Sequence, residues 1–205
     1  MQVSLNKSSL GKAKLMLYGF KNGFPKAFSR SLNKTVSGTR TDMVKLVRRD
    51  YNYKAAAVRK RITVEKATYA KLSASVKSTG GSVQLSDVAG TRQTKKGVSV
   101  NVKKSTGIQL IPRAFKAPGR RSGKDIVFRR PGNPRGQHEN LYGRYGPPGS
   151  GGKIGSRARL DTFSAPHPEL VYNTPENWKK LQKAAGDRLN ANFAHEVDVV
   201  LKGIA

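Results

Sequence analysis

The chain has 205 residues and carries 40 Lys+Arg against 12 Asp+Glu, a formal charge of +28. The length allows one domain with a sizeable core, while the charge excludes a body that lives without anionic company, because such a molecule repels itself. Cysteine is absent, which excludes a disulfide framework and a thiolate metal site and fits a reducing cytoplasm or a particle assembled there.

The basic excess is uneven. Residues 1–66 hold 16 Lys+Arg and 3 acids, residues 67–157 hold 18 and 3, and residues 158–205 hold 6 and 6. The first two segments therefore predict a cationic surface, and the neutral last segment predicts an element made for packing against protein.

Near the start, Leu15 to Tyr18 form a short apolar run between lysines with no small-residue cleavage site behind it, so no signal peptide is expected. No stretch approaches the roughly 20 apolar residues of a membrane span, and no membrane contact is expected. Phe24, Phe28, Leu32 and Val36 recur every four residues, and Met43, Val44 and Val47 resume the stripe, which predicts a helix over 24–50. Pro25 suits its first turn. Gly38 costs about 1 kcal/mol relative to alanine and marks a candidate break, with two helices as the alternative. Asn52 is read as the N-cap of a second short helix over 53–61, with three alanines and Val58 at its centre.

The period then changes to two. Leu72, Ala74 and Val76 alternate with polar residues over 71–77, and Val98, Val100 and Val102 do the same over 98–103, predicting half-buried strands. Ser105-Thr106-Gly107 reads as a turn into a strand at 108–111, and Ile126, Val127 and Phe128 make another over 125–130. Neighbouring strands with short turns imply an antiparallel meander. Residues 131–157, rich in proline and glycine, cannot bury enough apolar surface to fold alone and read as a long loop or arm. Thr174 as N-cap and Pro175 at the first position open a C-terminal amphipathic helix. Trp178, Leu181, Ala185, Leu189, Phe193 and Val197 form its apolar stripe, and Asp187, Arg188, Asn192 and Glu196 take the other sides. Trp178 is read as a packing anchor. The expected fold is α+β, one domain over 1–205: basic helices (1–66), a small sheet (67–130), an irregular arm (131–157), and a C-terminal segment (158–205) whose helix packs on the sheet.

No catalytic or metal site is expected. His138, His167 and His195 are far apart and lack a short-spaced ligand pair. Acids Glu196 and Asp198 beside His195 read as a solvated helix face. Gly149-Ser150-Gly151-Gly152-Lys153 is not a phosphate loop: Pro147 stands where glycine is required and Ile154 where a hydroxyl must reach magnesium. No cofactor is called for. Arg48, Arg49, Lys54, Arg59, Lys60 and Arg61 form a dense basic cluster, and Arg129 and Arg130 close a strand. These are the candidates to face DNA phosphates, which give affinity without sequence preference, or carboxylates of a partner subunit; a merely solvated surface is the bland reading. Lys95-Lys96, Lys103-Lys104 and Arg120-Arg121 raise the same question. Tyr51, Tyr53, Tyr142 and Tyr145 lie near basic residues and could stack on bases, with core packing the preferred reading for Tyr51 and Tyr53.

The order of these elements resembles the prophage minor tail protein Z family and the wider group of phage tail-completion proteins. Residues 27–34 (AFSRSLNK) are similar to that family's first-helix signature, and residues 54–67 (KAAAVRKRITVEKA) to its basic second helix. Residues 111–115 (IPRAF) followed by 127–130 (VFRR) resemble its strand pair, and residues 178–203 its closing helix. The resemblance spans nearly the whole chain outside 131–157, a stretch longer here than in the family, so that no role is carried over to it. It implies a non-enzymatic virion protein, assembled in the host cytoplasm, that acts at the head-proximal end of the tail. It further implies a homo-oligomeric ring of six copies, neighbours among the tail terminator, head-completion or neck proteins and tail tube, and genomic DNA passing through the channel regardless of sequence. The alternative of a different class is a free sequence-nonspecific nucleic-acid-binding protein, ribosomal-like or packaging-related.

Overall fold

The computed structural model describes residues 7–20, 22–81, 83–119, 123, 125–129 and 161–203. The fold class is α+β, with long helices and small antiparallel sheets. The chain divides into two compact units, one made of residues 1–82 with 166–205 and the other of residues 83–165. The expected arm at 131–157, together with Arg120, Arg121, Arg130, His138, Tyr142 and Tyr145, lies outside the described residues.

In the first unit, α1 (Lys7–Met16) precedes α2 (Gly23–Asp50), a single uninterrupted helix. Gly38 does not break it. A Cβ built there would lie 2.7 Å from Cδ of Arg188, so the glycine makes room for a side chain that crosses the helix. α2 buries Ala27, Val36, Met43, Val44 and Val47 at helical spacing, interleaved with Ser29, Ser31, Thr35 and Thr39. Each of these hydroxyls donates to a carbonyl three or four residues back, for instance Thr35 to Ser31 at 2.8 Å and Thr39 to Thr35 at 3.0 Å, so none is buried without a partner. Small side chains along this face let another helix approach closely.

That helix is α5 (Pro175–Leu201). Leu189, Phe193, Val197 and Val200 cluster with Ala27 of α2 and Ala13 and Leu17 at the end of α1. Phe24, Phe28 and Phe193 form an aromatic triad, with one stacked pair at 5.5 Å and edge contacts at 6.3 and 5.7 Å. Each fully buried large side chain contributes roughly 1.5–3 kcal/mol, and each aromatic pair about 0.5–1.5 kcal/mol more. The first turns of α5 also cover strand residues: Trp178 and Leu181 share an apolar cleft with Ala74, Ser75 and Val76. Trp178 is not a buried anchor; 39% of it is exposed at that cleft.

Between the long helices, α3 (Ala55–Lys60) is capped by Lys54, not Asn52, and is shorter than the basic helix expected over 53–61. Tyr53 precedes it in an extended bridge and is fully buried, stacked on Tyr51 at 5.3 Å, with its hydroxyl donating to Pro166 O at 2.9 Å. After Arg61 the chain turns into β1 (Ile62–Glu65), which pairs with β2 (Ser75–Ser78) in an antiparallel hairpin, Val64 opposite Val76. The predicted strand over 71–77 therefore starts only at Ser75, and the hairpin belongs with the helices. α4 (Glu169–Tyr172) is a single turn whose Val171 carbonyl accepts from Asn177 Nδ2 at 2.9 Å.

The described residues of the second unit form short strands and two single 3-10 turns, Leu85–Asp87 and Lys104–Thr106. β3 (Val83–Gln84) pairs with β10 (Ser164–Ala165). β4 (Arg92–Thr94), β5 (Gly97–Val100) and β6 (Gln109–Pro112) form a three-stranded meander, and β7 (Ala114–Pro118), β8 (Asp125–Arg129) and β9 (Asp161–Thr162) a second antiparallel sheet. The one meander expected from sequence is thus divided among small ladders. Arg113, at φ 59°, turns the chain between them. Gln93 then bridges β4 to β7: its Oε1 accepts from Lys116 N at 2.8 Å and its Nε2 donates to Ala114 O at 3.3 Å. Val83, Val88, Val98 and Val127 are fully buried at the centre of this unit.

Candidate nucleic-acid and partner interface

The basic cluster is assembled by the end of α2 and by α3. Arg48, Arg49, Lys54, Arg59 and Lys60 are all exposed, and the two arginines closing α2 sit favourably at the negative end of its dipole. The five are not equivalent. Arg49 makes a bidentate pair with Asp50, at 2.9 and 3.0 Å, which cancels its charge and raises its pKa further. Arg59 gives its carbonyl to Arg40 Nη2 at 2.8 Å, which braces α3 against the middle of α2. Arg61 is turned away from the cluster: its Nε donates to Gly81 O at 3.2 Å and its Nη1 to Ala57 O at 3.3 Å. It clamps the β1–β2 hairpin to α3 and is half-buried, so it is a structural residue, not an open phosphate ligand.

In the second unit, Arg129 stands on β8 opposite Ala114 on one side and Asp161 on the other. Its guanidinium lies 5.1 Å from the Phe163 ring centroid, a cation–π packing, and the residue as a whole is half-buried. Arg130 lies outside the described residues. Lys95, Lys96, Lys103 and Lys104 are all exposed around the β4–β5–β6 meander.

Sequence reasoning missed a second group of charges. Glu196, expected on a solvated face, is 2% exposed. It is ion-paired with Lys34 and approached by Arg30 Nη1 at 4.0 Å. One turn earlier on α5, Asn192 donates to Thr35 Oγ1 at 3.0 Å; one turn before that, Arg188 bonds Asp42 at 2.5 Å. Arg188, Asn192 and Glu196 thus make a polar seam against α2, beside the apolar stripe. A buried carboxylate requires such partners, because an unpaired charge is costly to desolvate. The available signal was the repeat of polar residues at 188, 192 and 196, one line on a helix. Arg30, Asn33, Lys34 and His195 rim an open concavity of about 460 Å³ over Glu196.

His167 accepts from Gly81 N through Nδ1 at 2.7 Å, and His195 is exposed. Among the described residues no group of three or more His, Asp or Glu side chains could hold a metal ion, and no helix is long and apolar enough to cross a membrane. Compared with protein-family models, with curated proteins and with solved structures, the chain matches none.

Proposed function

We propose that this chain is a non-catalytic structural protein of a tailed bacteriophage, of the minor tail and tail-completion type, which forms a homo-oligomeric ring at the head-proximal end of the tail. It completes the tail, contributes to head–tail joining and lets DNA pass. The observation that carries the reading is an exposed cationic surface on a body with 40 Lys+Arg against 12 Asp+Glu, four of whose acids are committed to internal pairs among the described residues. Arg48, Lys54, Arg59 and Lys60 are exposed, while Asp42, Asp50, Glu65 and Glu196 are engaged with the protein's own cations. Phosphate contacts of this kind suit a passage through which any sequence must slide. The motif order over 27–34, 54–67, 111–130 and 178–203 supports the tail-completion setting, although residues 54–67 form a short helix followed by a strand and not a long basic helix.

The test is genetic and compositional. Deleting the gene from its phage is expected to yield heads and tails that fail to join, and mass spectrometry of wild-type particles is expected to find the chain in the virion. Particles that assemble normally without it, or that lack the polypeptide, overturn the reading. A tight interaction of the purified chain with duplex DNA, with a steep salt slope and no effect on tails, would favour the free nucleic-acid-binding alternative instead.

A further inference from the structure

One face of α2 is free of acids and turned to solvent for most of the helix. Lys34, Ser37, Thr41, Lys45 and Arg48 are exposed, and Arg30 at the near end is half-buried. At 3.6 residues per turn these six fall within an arc of about 80°, and no other residue of 30–48 shares it. At 1.5 Å per residue the line is about 27 Å long. Every charge on it is positive. Arg30 and Lys34 share the single carboxylate of Glu196, so together they keep one net positive charge, and their side chains are still 40% and 52% exposed. Beside the middle of the line, Arg40 Nη2 donates to Arg59 O at 2.8 Å, which sets the exposed Arg59 and Lys60 on its flank.

The other groups along this face are already engaged. Ser37 Oγ donates to Asn33 O at 2.9 Å and Thr41 Oγ1 to Ser37 O at 3.2 Å. Asparagine amides commonly read adenine edges, but Asn33, next to the line, is closed on Ala67: its Nδ2 donates to Ala67 O at 3.0 Å and its Oδ1 accepts from Ala67 N at 2.8 Å. A single strand needs aromatic rings as stacking platforms. The tyrosines that follow Arg48 are spent on each other, Tyr51 stacked on Tyr53 at 5.3 Å and Tyr53 1% exposed. What remains is a straight cationic ridge with no amide reader and no open ring, and with small side chains at 37 and 41 that let a rod lie close to the helix. A duplex backbone is the complement of such a ridge: a stiff rod with one negative charge per ~1.7 Å of axis.

We propose that the α2 face from Arg30 to Arg48, flanked by Arg59 and Lys60, seats the phosphate backbone of duplex DNA over about eight base pairs at 3.4 Å each. The proposal rests on the preceding reading for its choice of DNA. It deepens that reading by extending the contact from the basic cluster back along α2, and by making it a contact with phosphates and not with base edges.

The test is a titration of the full-length chain with a ~16-base-pair DNA duplex between about 50 and 200 mM salt, where counterion release sets the slope. Log K against log salt is expected to fall with a slope of about −4 to −5, the same for two unrelated sequences. Arg30→Gln, Lys45→Gln and Arg48→Gln together are expected to flatten that slope by about 2 to 3 and to weaken binding on the order of 100-fold at ~0.15 M salt. Lys179→Gln, Lys180→Gln and Lys183→Gln together remove the same charge from exposed positions of α5 and are expected to change the slope by less than about 1. Arg30→Lys with Arg48→Lys keeps the charge and is expected to bind as the unaltered chain does, which separates a lost contact from a lost fold. Absence of duplex binding at the lowest salt, equal losses from the α2 and α5 triple variants, or tighter binding of a single strand or of an RNA duplex of the same length would each overturn the proposal. Particles that lack the chain overturn the tail reading and leave this measurement intact, whereas a failed titration overturns the α2 contact and leaves the tail role to the gene deletion.

Discussion

Replacing Lys34 with methionine removes the cation that pairs with Glu196 while keeping most of the aliphatic stem. The carboxylate stays in a site where its side chain is 3% exposed, with Arg30 Nη1 at 4.0 Å as its remaining cation. Stranding a buried charge costs about 3–5 kcal/mol. The Lys34 side chain is 52% exposed and Arg30 remains in range, so screening and rearrangement reduce the expected loss to about 2–3 kcal/mol. Glu196→Gln acts on the other partner. The lysine left behind is half in water and can still donate to the amide, so the loss is nearer 1 kcal/mol. The two substitutions therefore differ in cost although they break the same pair. The double variant should recover about 1–2 kcal/mol relative to the sum of the singles, because it strands no charge. The assay is thermal and urea unfolding of the full chain, where 2–3 kcal/mol corresponds to roughly 4–12 °C for a protein of this size. A Lys34→Met loss under about 1 kcal/mol, or strict additivity in the double variant, would refute the argument that Glu196 is held as a buried, obligatorily paired anion.

The two buried tyrosines should respond oppositely to loss of their hydroxyls. Tyr53→Phe gives up the bond to Pro166 O and should cost about 0.5–1.5 kcal/mol, whereas the Tyr172 hydroxyl is buried without a partner among the described residues and Tyr172→Phe should be neutral or stabilising, both read by urea midpoint. Burial pushes both phenols well above their ordinary value of 10. Their contribution is therefore complete below pH 10 and lost above it as the unfolded chain ionises first, and absorbance titration should show two phenols that ionise only on alkaline unfolding. From β2, Lys77 and then Ser75 bond the carboxylate of Glu65 on β1 and hold its pKa below the ordinary 4.5. The hairpin should be favoured above that pH and loosen as pH falls below it, with the Glu65 shift in an NMR titration abolished by Lys77→Ala. Gly97, at φ 152°, has no room for a Cβ against Ile111 O, so Gly97→Ala should destabilise the second unit by at least about 2 kcal/mol, seen as faster amide exchange in β5 and β6.

Elements with a strong period were legible in the residues. α2 and α5 follow their apolar stripes to within a residue or two, β5 stands where Val98 and Val100 alternate with polar residues, and β6 and β8 fall on the short apolar runs at 108–111 and 126–128. What escaped was set by partners distant in sequence. Ile62-Thr63-Val64-Glu65 reads as the tail of a basic helix until β2 arrives to pair with it. Gly38 reads as a break because the reason for a glycine is Arg188, far along the chain. Glu196 reads as solvated because nothing local announces that Lys34 and Arg30 meet it. In the basic cluster, composition placed Arg48, Arg59 and Lys60 at the surface, yet only the tertiary contacts separate Arg61, spent on carbonyls, and Arg49, neutralised by Asp50.

The seam between the long helices bears on how the chain finds its native pairing. Asp42 and Arg188 are 146 residues apart, and Thr35 and Asn192 are 157 apart, so the partners meet only after a large loop has closed. A greasy stripe alone would tolerate a slide of one turn, 5.4 Å along the axis. Here that slide would carry Glu196 off its cations and leave Arg188 without its aspartate. Mispaired intermediates are thereby penalised at three rungs at once, and the late encounter of the helices is proofread by electrostatics before the apolar residues lock it.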